Sequence, residues 1–446
     1  MSKLLNLDDV SIPDFSEELV ADNTIPHVTH SAHTRDETHT PNNVANKYTL
    51  NLPKKVKDEA IYKDKQYQQL CDLSGLDEDH LDEILRCIYS AYGQSVSDII
   101  IPSDDVIQIR KSKVLMPLFG RTIRASEVES FIKKMYREDA VRNLKGIDSE
   151  DIDATYDVTH GDGLIRLRTN VCTYRSPAGT QGLKITFRSL PSVIPSFDTL
   201  NTPQFIRDNC MPREGLILVS GETGSGKTTL CAAILRALNE DEEYSRIIIA
   251  NEHPPEFLLN SLTGPNPIYQ HAIGKYDDFA TFEDGLSNAL RCAPEVIFSG
   301  ESRNRETFLI LPRIAESGHM GITTLHAGSV PGTLTRIADE IGGNQESTIR
   351  KFIMHTHLII NQWLAPKVGG GVVPIQEWLL LNHKVKEELL QMEYGSDLPL
   401  AVKKCVEKYG RTFKSAAKEA LNEGAITKAT YLLAINSHGG EEEVDG

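Results

Sequence analysis

The sequence predicts an α/β protein, in which a mixed α+β domain precedes a domain with a mostly parallel sheet. Strand-like and helix-like patterns mix over residues 66–190, whereas strands and helices alternate regularly over residues 205–380. Regular alternation is typical of a parallel sheet that is covered by helices on both faces. Prolines cluster between these regions, so residues 191–204 are predicted to form a linker. Residues 381–446 are charged and helix-rich, which predicts a C-terminal helical extension with an acidic tail.

The N-terminal segment is polar and has no periodic apolar pattern. We predict that residues 1–65 form a disordered tail, because such a composition cannot bury enough apolar surface to fold. Four histidines occur in this segment. Because their spacing is irregular and no cysteine is nearby, we interpret them as part of a disordered segment rather than as a metal site. These histidines are His27, His30, His33 and His39.

The N-terminal domain combines short helices and strands. Residues 79–89 have the apolar spacing of an amphipathic helix, and a second helix is predicted to begin near residue 125. Ser126 and Glu129 have the spacing of a capping box for that second helix. Strands are predicted over residues 98–101, 106–109, 156–158, 164–168 and 183–188.

A glycine-rich motif opens the second domain. Residues 221–228 read GETGSGKT, which matches G-x-x-x-x-G-K-[ST] and lies between an apolar strand and a helix-compatible stretch. Such glycines let backbone N–H groups surround phosphate oxygens, and the helix N-terminus adds partial positive charge. We expect Lys227 to reach the β- and γ-phosphates of a nucleoside triphosphate and Thr228 to place its hydroxyl on Mg²⁺. The predicted nucleotide-binding residues are Gly221, Glu222, Thr223, Gly224, Ser225, Gly226, Lys227, Thr228 and Thr229.

Acidic residues follow the next predicted strands. Glu252 and Glu256 come after a strand at residues 246–250, and Glu301 follows the apolar strand that begins at Val296. The carboxyl ends of such strands lie at the ligand-binding edge of a sheet. A carboxylate such as Glu301 can position or activate an attacking water, directly or through Mg²⁺.

Two histidines accompany the following strand. His326 stands at its end and His319 precedes it by seven positions. A single histidine at a strand end is more often structural than catalytic. Two histidines after a glutamate-terminated strand favour a functional role, so both are catalytic candidates.

In their order and intervals, these motifs resemble those of the secretion and pilus-retraction ATPase superfamily, the hexameric motors of type II and type IV secretion. Its acidic, hydrophobic-Gly-Glu and histidine boxes stand here as EHPPE (252–256), FSGE (298–301) and GHMGITTLH (318–326). Arg168 and Arg188 lie in stretches that match its R-x-N and F-R motifs upstream. The resemblance therefore extends over both predicted domains.

The resemblance implies a PAS-like α+β N-terminal domain, a RecA-like P-loop ATPase domain and a hexameric ring that holds ATP and Mg²⁺ between neighbouring subunits. It implies that Thr228 binds the metal ion directly and that Glu301 binds it through water. Glu301 would also position the attacking water, with support from Glu252 and Glu256. His326 would sense the γ-phosphate.

Several arginines are candidates for a charge delivered across a domain or subunit boundary, as by an arginine finger. Arg168, Arg175 and Arg188 lie on predicted N-terminal strands and have no obvious acidic partner in the sequence. The resemblance supports Arg168 and Arg188 as catalytic residues, whereas Arg175 and Arg291 lack that support. The alternative is that these arginines form surface ion pairs.

The chain also departs from the superfamily pattern. The second acidic-box position is His253 rather than aspartate, and residues 382–387 match the A-I-R motif of pilus-retraction relatives poorly. Residues 151–156 resemble the branch that serves type IVB (Dot/Icm-type) secretion and conjugative plasmid transfer. We predict an ATPase motor of that branch, with type IV pilus retraction as the alternative. A nucleotide-binding scaffold without turnover is a further alternative, and a DNA-pumping ATPase is disfavoured because no basic, aromatic-rich segment is present.

Composition indicates where such a protein would work. The 446 residues are 40% hydrophobic and carry a net charge of −16, which is typical of a soluble globular protein and argues against broad nucleic-acid binding. The seven cysteines are scattered, as in reduced cytosolic proteins, and no apolar run is long enough to span a membrane. We predict a cytoplasmic homohexamer that does not insert into the membrane. Protein partners in an inner-membrane secretion or transfer machine, including a coupling ATPase, would recruit it.

Overall fold

The described part of the chain contains both predicted regions. The computed structural model describes residues 61, 64–118, 121–136, 139–146, 151–177, 179–275, 277–342, 345–391 and 398–437. The histidines predicted to lie in a disordered tail and the acidic C-terminus fall outside these ranges. Residues 56–446 form one compact unit, in which each predicted domain is built on its own sheet.

The N-terminal sheet is antiparallel. Its six strands have the order β3-β2-β1-β6-β5-β4, and each neighbouring pair is antiparallel. Every second residue of β6 is buried, with Leu183, Ile185 and Phe187 facing the core, which is the period expected of a strand with one covered face. The strands are β1 (Val96–Pro102), β2 (Gln108–Lys111), β3 (Val114–Pro117), β4 (Ile152–His160), β5 (Gly163–Arg175) and β6 (Gln181–Ser189).

Four α-helices in the described part of the chain accompany this sheet. Leu81, Ile84, Leu85 and Ile88 recur at helical spacing in the second of them and are fully buried in the same core as β6. The structure thereby confirms the predicted mixed α+β pattern. The helices are α1 (Lys65–Asp72), α2 (His80–Tyr92), α3 (Ala125–Met135) and α4 (Ala140–Leu144).

The cap of α3 differs from the predicted one. Glu127 Oε2 accepts a hydrogen bond of 2.8 Å from the backbone N–H of Arg124, the residue that precedes the helix. Ser126 therefore lies inside the first turn, and Glu129 forms an ion pair with Lys145, the residue that follows α4. The prediction of a Ser126–Glu129 box was wrong because the helix begins before Ser126.

The second sheet has the order β13-β12-β7-β11-β10-β8-β9. Its strands pair in parallel except for the antiparallel hairpin of β12 and β13. Every residue of β7, β8, β10 and β11 is buried, as expected for parallel strands covered on both faces. The strands are β7 (Gly215–Ser220), β8 (Ile248–Glu252), β9 (Ile268–Ala272), β10 (Val296–Ser299), β11 (Met320–Leu325), β12 (Thr356–Pro366) and β13 (Val372–Leu380).

Helices cover both faces of this sheet. Alternate residues of β7 enter different cores: Leu216 and Leu218 join one cluster, and Ile217 and Val219 join the other. The predicted α/β class with a RecA-like second domain is therefore confirmed. The helices are α5 (Gln204–Asn209), α6 (Lys227–Glu240), α7 (Phe282–Ala289), α8 (Arg305–Glu316), α9 (Val330–Ile341) and α10 (Gln345–His355).

The C-terminal region is helical. Phe413, Ala417 and Ala434 form a small core with Ala365 and Ile375 of the β12–β13 hairpin. The helices are α11 (His383–Leu390), α12 (Leu398–Tyr409), α13 (Phe413–Asn422) and α14 (Lys428–Ser437). Within the described ranges, no helix combines the length and the apolarity needed to cross a membrane. The domain and linker limits given above stay predictions.

Candidate functional site

The glycine-rich loop joins β7 to α6, the arrangement expected of a phosphate-binding loop. Gly221, Gly224 and Gly226 have φ angles of 152°, 79° and 82°. A side chain at Gly221 would also place its Cβ 2.3 Å from the backbone oxygen of Gln362 on β12. The positive φ angle and the close approach of the Gln362 backbone oxygen therefore both require glycine at position 221.

Lys227, the first residue of α6, folds back over the loop. Its Nζ donates hydrogen bonds of 2.8 Å to Gly221 O and 2.9 Å to Glu222 O. The residue is 8% exposed, and this burial lowers the pKa of its ammonium group, although the nearby carboxylate of Glu301 acts in the opposite direction. A cation is thus held beside the loop, where phosphate oxygens would need one.

The other loop residues differ in exposure. Glu222 and Thr223 are exposed, whereas Thr228 and Thr229 are half-buried in the first turn of α6. Ser225 is buried, and its Oγ has no hydrogen-bond partner among the described residues.

Glu301 and His326 meet at the carboxyl edge of the sheet. Both follow neighbouring parallel strands, β10 and β11. His326 Nε2 lies 3.1 Å from Glu301 Oε1, and His326 Nδ1 lies 3.5 Å from Lys227 Nζ. The structure therefore brings these three predicted residues into one cluster.

Arg303 completes this cluster and was not among the predicted residues. Its Nη2 donates a hydrogen bond of 2.6 Å to Glu301 Oε2. Burial by itself would raise the pKa of Glu301, but the hydrogen bond and charge of Arg303, together with His326 and Lys227, hold it below its ordinary value. Glu301 is therefore ionised at neutral pH. Its buried Oε1 has no partner with hydrogen-bond geometry in the described part of the chain.

The two acidic-box glutamates occupy different environments. Glu252 ends β8 and is buried, and its Oε1 accepts a hydrogen bond of 2.6 Å from Gln270 Nε2. Burial raises the pKa of Glu252 to about 7. Glu256 is half-buried and its Oε1 lies 3.9 Å from Arg168 Nη1, and its charge also helps to raise the pKa of Glu252. His253 uses its ring nitrogen Nδ1 to contact the backbone oxygen of Ile273.

Arg168 has an acidic partner, which corrects the expectation from the sequence. Its Nε donates a hydrogen bond of 3.0 Å to Asp153 Oδ1 on β4. This bond raises the pKa of Arg168, and the charges of Glu256 and Glu301 act in the same direction. Thr155 lies directly opposite Arg168, so strand pairing places Asp153 within reach. The sequence could not show this because the register of two strands is not visible in it.

Arg188 is paired as well. Its Nε lies 3.1 Å from Asp98 Oδ1, and Asp98 is its direct cross-strand neighbour on β1. The side chain of Arg188 is 69% exposed, whereas that of Asp98 is 11% exposed, so the pair joins an exposed cation to a buried carboxylate within one chain. Arg188 also lies opposite Arg168 in the β5–β6 pairing, so the two arginines are adjacent on the N-terminal sheet.

Three other candidates lie outside the cluster. His319 precedes β11, at the opposite end of the strand from His326, and its Nδ1 contacts the backbone oxygen of Ile314 at 3.2 Å. A strand of this length spans about 20 Å, so the structure does not bring His319 to the phosphate loop. Arg175 contacts the backbone of its own hairpin at Gly179, and Arg291 is exposed after α7.

Arg166 connects the N-terminal sheet to the acidic box and was also missed from the sequence. Its side chain is 4% exposed. Its Nη1 donates to the backbone oxygen of Glu256 at 3.1 Å, and its Nε contacts Asp157 at 3.3 Å. Its position on a strand two residues before Arg168 is the one signal that could have found it, because alternate residues of a strand share a face.

A cavity of about 590 Å³ lies next to the phosphate loop. Gly226, Thr229 and Leu230 form one wall. The remaining walls come from residues 199–203, the β12–β13 hairpin and α13. Its volume is within the range of small-molecule sites, about 300–1,000 Å³.

Comparisons with known proteins agree with this geometry. Residues 175–372 match the family model described as type II/IV secretion system protein. The type IV pilus retraction ATPase PilT of Pseudomonas aeruginosa is 30% identical over 243 residues, which cover 52% of this chain and 66% of that protein. An uncharacterized Escherichia coli protein, YggR, is 30% identical over 250 residues, which cover 56% of this chain and 74% of that protein.

A solved structure is also similar. The crystal structure of the ATPase DotB from Legionella pneumophila superposes with a TM-score of 0.76 at 28% identity and covers 82% of this chain and 98% of that one. The motif order, the clustered Lys227, Glu301 and His326, and these comparisons together show that the chain belongs to the type II/IV secretion system protein family, the secretion and pilus-retraction ATPases.

Proposed function

We propose that this chain is an ATP-hydrolysing motor that works as a homohexamer and powers type IVB secretion or conjugative plasmid transfer. The observation that carries the proposal is the cluster of Lys227, His326, Glu301 and Arg303 beside the phosphate loop. A site that only binds nucleotide does not need an ionised carboxylate held at this position. The likeness to DotB supports the type IVB branch.

In this proposal the loop binds the phosphates of ATP. The backbone N–H groups between Gly221 and Lys227 surround the phosphate oxygens, and the N-terminus of α6 adds partial positive charge. The ammonium of Lys227, which donates to two loop carbonyls in this structure, neutralises charge on the β- and γ-phosphates. The neighbouring cavity of about 590 Å³ would take the base and sugar.

Glu301 is the proposed general base. It is ionised, and its Oε1 is buried and available to accept a hydrogen bond from the attacking water. Arg303 fixes the other carboxylate oxygen, so the group is oriented before the substrate arrives. His326 lies between Glu301 and Lys227 and is placed to respond to charge on the γ-phosphate.

The residues present fit Mg²⁺, which prefers oxygen ligands. Thr228 would offer its hydroxyl, and Glu301 Oε1, which accepts no hydrogen bond from the described residues, would reach the ion through water. Magnesium, when bound, would neutralise charge on the phosphate oxygens. Glu252 is buried and bonded to Gln270, so it would support the site from behind rather than act as a ligand.

Arg168 and Arg188 are the proposed source of a charge for the neighbouring subunit. The side chain of Arg188 is 69% exposed, and its partner Asp98 also lies 3.2 Å from Arg110 Nε, so Asp98 would keep a cation if Arg188 exchanged it for a phosphate. Arg168 is adjacent to it on the same sheet. A ring would bring the N-terminal sheet of one subunit to the loop of the next, and Arg166 would couple hydrolysis to movement of that sheet because it holds the acidic-box backbone.

Type IV pilus retraction is the second candidate function. The match to the Pseudomonas ATPase PilT favours it, although the alignment covers 66% of that protein. The two functions share the nucleotide chemistry and differ in the partner. Deletion of the gene in its host separates them: loss of DNA transfer or of protein export supports the first function, and loss of twitching alone supports the second.

Hydrolysis is tested with two site variants and a surface control. Lys227→Ala should weaken nucleotide binding and turnover together, because it removes the cation at the phosphates. Glu301→Gln should retain ATP and lower kcat by about 10²-fold or more, the range for loss of a general base. Glu240→Gln, at the exposed end of α6, should behave as wild type. Normal turnover by Glu301→Gln would contradict the proposed chemistry.

A further inference from the structure

Two buried glutamines connect the β12–β13 hairpin to the phosphate loop. Gln362 and Gln376 lie directly opposite each other in the hairpin and are 4% and 3% exposed. Gln376 Nε2 donates a hydrogen bond of 2.7 Å to Gln362 Oε1. Gln362 Nε2 in turn donates a hydrogen bond of 2.6 Å to the backbone oxygen of Ser225. The two bonds form a chain that ends inside the loop.

The bond to Ser225 fixes the orientation of one loop peptide. The oxygen of Ser225 and the N–H of Gly226 belong to the same planar trans peptide, so they point in opposite directions. Holding the oxygen against Gln362 therefore turns the N–H away from β12 and toward the phosphate side of the loop. The reverse orientation would direct a carbonyl oxygen at the phosphates, which repel it.

Gln376 determines which end of the Gln362 amide faces the loop. Because Gln362 Oε1 accepts from Gln376, its NH₂ group is directed to the oxygen of Ser225. A backbone oxygen can only accept hydrogen bonds, so the opposite amide orientation would place two acceptors against each other.

Gln362 also contacts the loop at both of its glycine ends. A Cβ at Gly226 would lie 2.9 Å from Gln362 Nε2, and a Cβ at Gly221 would lie 2.3 Å from the backbone oxygen of Gln362. The loop therefore packs directly on Gln362, so closely that a side chain at either glycine would collide with it.

We propose that Gln362, oriented by Gln376, is a positioning residue that presets the phosphate loop for nucleotide. The inference rests on the proposed function only in taking the ligand to be a nucleotide. Gln362 does not touch the reacting atoms: it acts through the Ser225–Gly226 peptide. The same contacts could instead serve only to stabilise the core, so the experiment must separate positioning of the loop from stability of the fold.

The chain offers a matched control for a stability role. Asn239 is also a buried amide, 1% exposed, and its Nδ2 donates a hydrogen bond of 2.6 Å to the backbone oxygen of Asn266. It lies near the C-terminal end of α6, whose other end carries the phosphate loop. Asn239 follows Lys227 by twelve positions, so the two residues are about 18 Å apart along the helix at 1.5 Å per residue.

The experiment measures the Kd of a fluorescent ADP analogue with Mg²⁺, the ATPase parameters and the unfolding temperature. Gln362→Met keeps the length of the side chain and removes the donor. The variant should raise the Kd about tenfold, which is the effect of losing one hydrogen bond to a charged group, here the bond from the Gly226 N–H to the phosphate. KM should rise by the same factor with kcat nearly unchanged, because binding is lost equally in ground and transition states. Gln376→Met should raise the Kd less, since Gln362 keeps its donor but not its fixed orientation.

Asn239→Leu should lower the unfolding temperature and leave the Kd unchanged. Wild-type affinity in Gln362→Met, or an equal loss of affinity in Asn239→Leu, would overturn the inference. If Gln362→Met does not fold, Gln376→Met decides, and an unchanged Kd there rejects the idea. A wild-type protein that binds no ADP would instead reject the proposed function, so the two failures are distinguishable.

Discussion

Replacing Glu252 by glutamine should remove a pH-dependent destabilisation of the fold. Glu252 is 3% exposed, and its burial raises its pKa from 4.5 to about 7. The folded chain therefore holds this proton more tightly than the unfolded chain does. The stabilising contribution is fully present below pH 4.5 and is lost as the pH rises through about 7.

The magnitude follows from the difference between the folded and unfolded pKa values. A rise from 4.5 to about 7 corresponds to about 3 kcal/mol at about 1.36 kcal/mol per pKa unit. Glutamine carries no charge to bury, and its side-chain oxygen can still accept the hydrogen bond from Gln270. The free energy of unfolding of Glu252→Gln should match that of wild type near pH 4.5 and exceed it by about 3 kcal/mol at pH 8.

The assay is urea-induced unfolding of the nucleotide-free protein at pH 5, 6, 7 and 8, comparing variant with wild type at each pH. Glu240→Gln serves as the control, because Glu240 is half exposed at the end of α6 and pairs with Arg236 on the surface. Its free energy of unfolding should stay within about 0.5 kcal/mol of wild type throughout. A difference between Glu252→Gln and wild type that does not grow between pH 5 and 8 would refute the reasoning.

Two further predictions concern assembly and location. Mixing Lys227→Ala subunits with Arg188→Ala subunits should restore part of the ATPase activity, because some interfaces then pair an intact loop with an intact arginine. If mixed rings form and activity does not recover, the arginine acts in the site of its own subunit. A chain with a net charge of −16 is repelled by anionic lipid, so cell fractionation should find it at the membrane only when its partner machinery is present. Equal membrane association in cells that lack that machinery would contradict this expectation.

The site residues that the sequence predicts correctly are those whose position follows from a local sequence pattern. The phosphate loop is contiguous, and Glu301 and His326 each end an apolar strand. Parallel strands bring their carboxyl ends to one edge, so the meeting of these residues follows from the strand pattern alone. The same rule excludes His319, which stands at the beginning of its strand rather than the end.

The residues that were missed depend on contacts between segments far apart in the sequence. Asp153 binds Arg168 because β4 and β5 pair in one register, and Arg166 reaches the acidic box from another sheet. Gln362 lies 137 positions from the Ser225 oxygen that it binds. Arg303 is the exception, since it follows Glu301 by only two positions, and a cation so close to a candidate catalytic carboxylate is visible in the sequence.

The strand order explains why a histidine belongs in this site. Strand β11 lies between β7, which leads into the phosphate loop, and β10, which leads to Glu301. Two strand spacings separate the ends of β7 and β10 by about 10 Å, so a residue that follows β11 lies between the phosphate loop and Glu301. His326 follows the intervening strand, and its two ring nitrogens lie 3.5 Å from Lys227 Nζ and 3.1 Å from Glu301 Oε1. The sheet order therefore places one imidazole ring in contact with both charged groups.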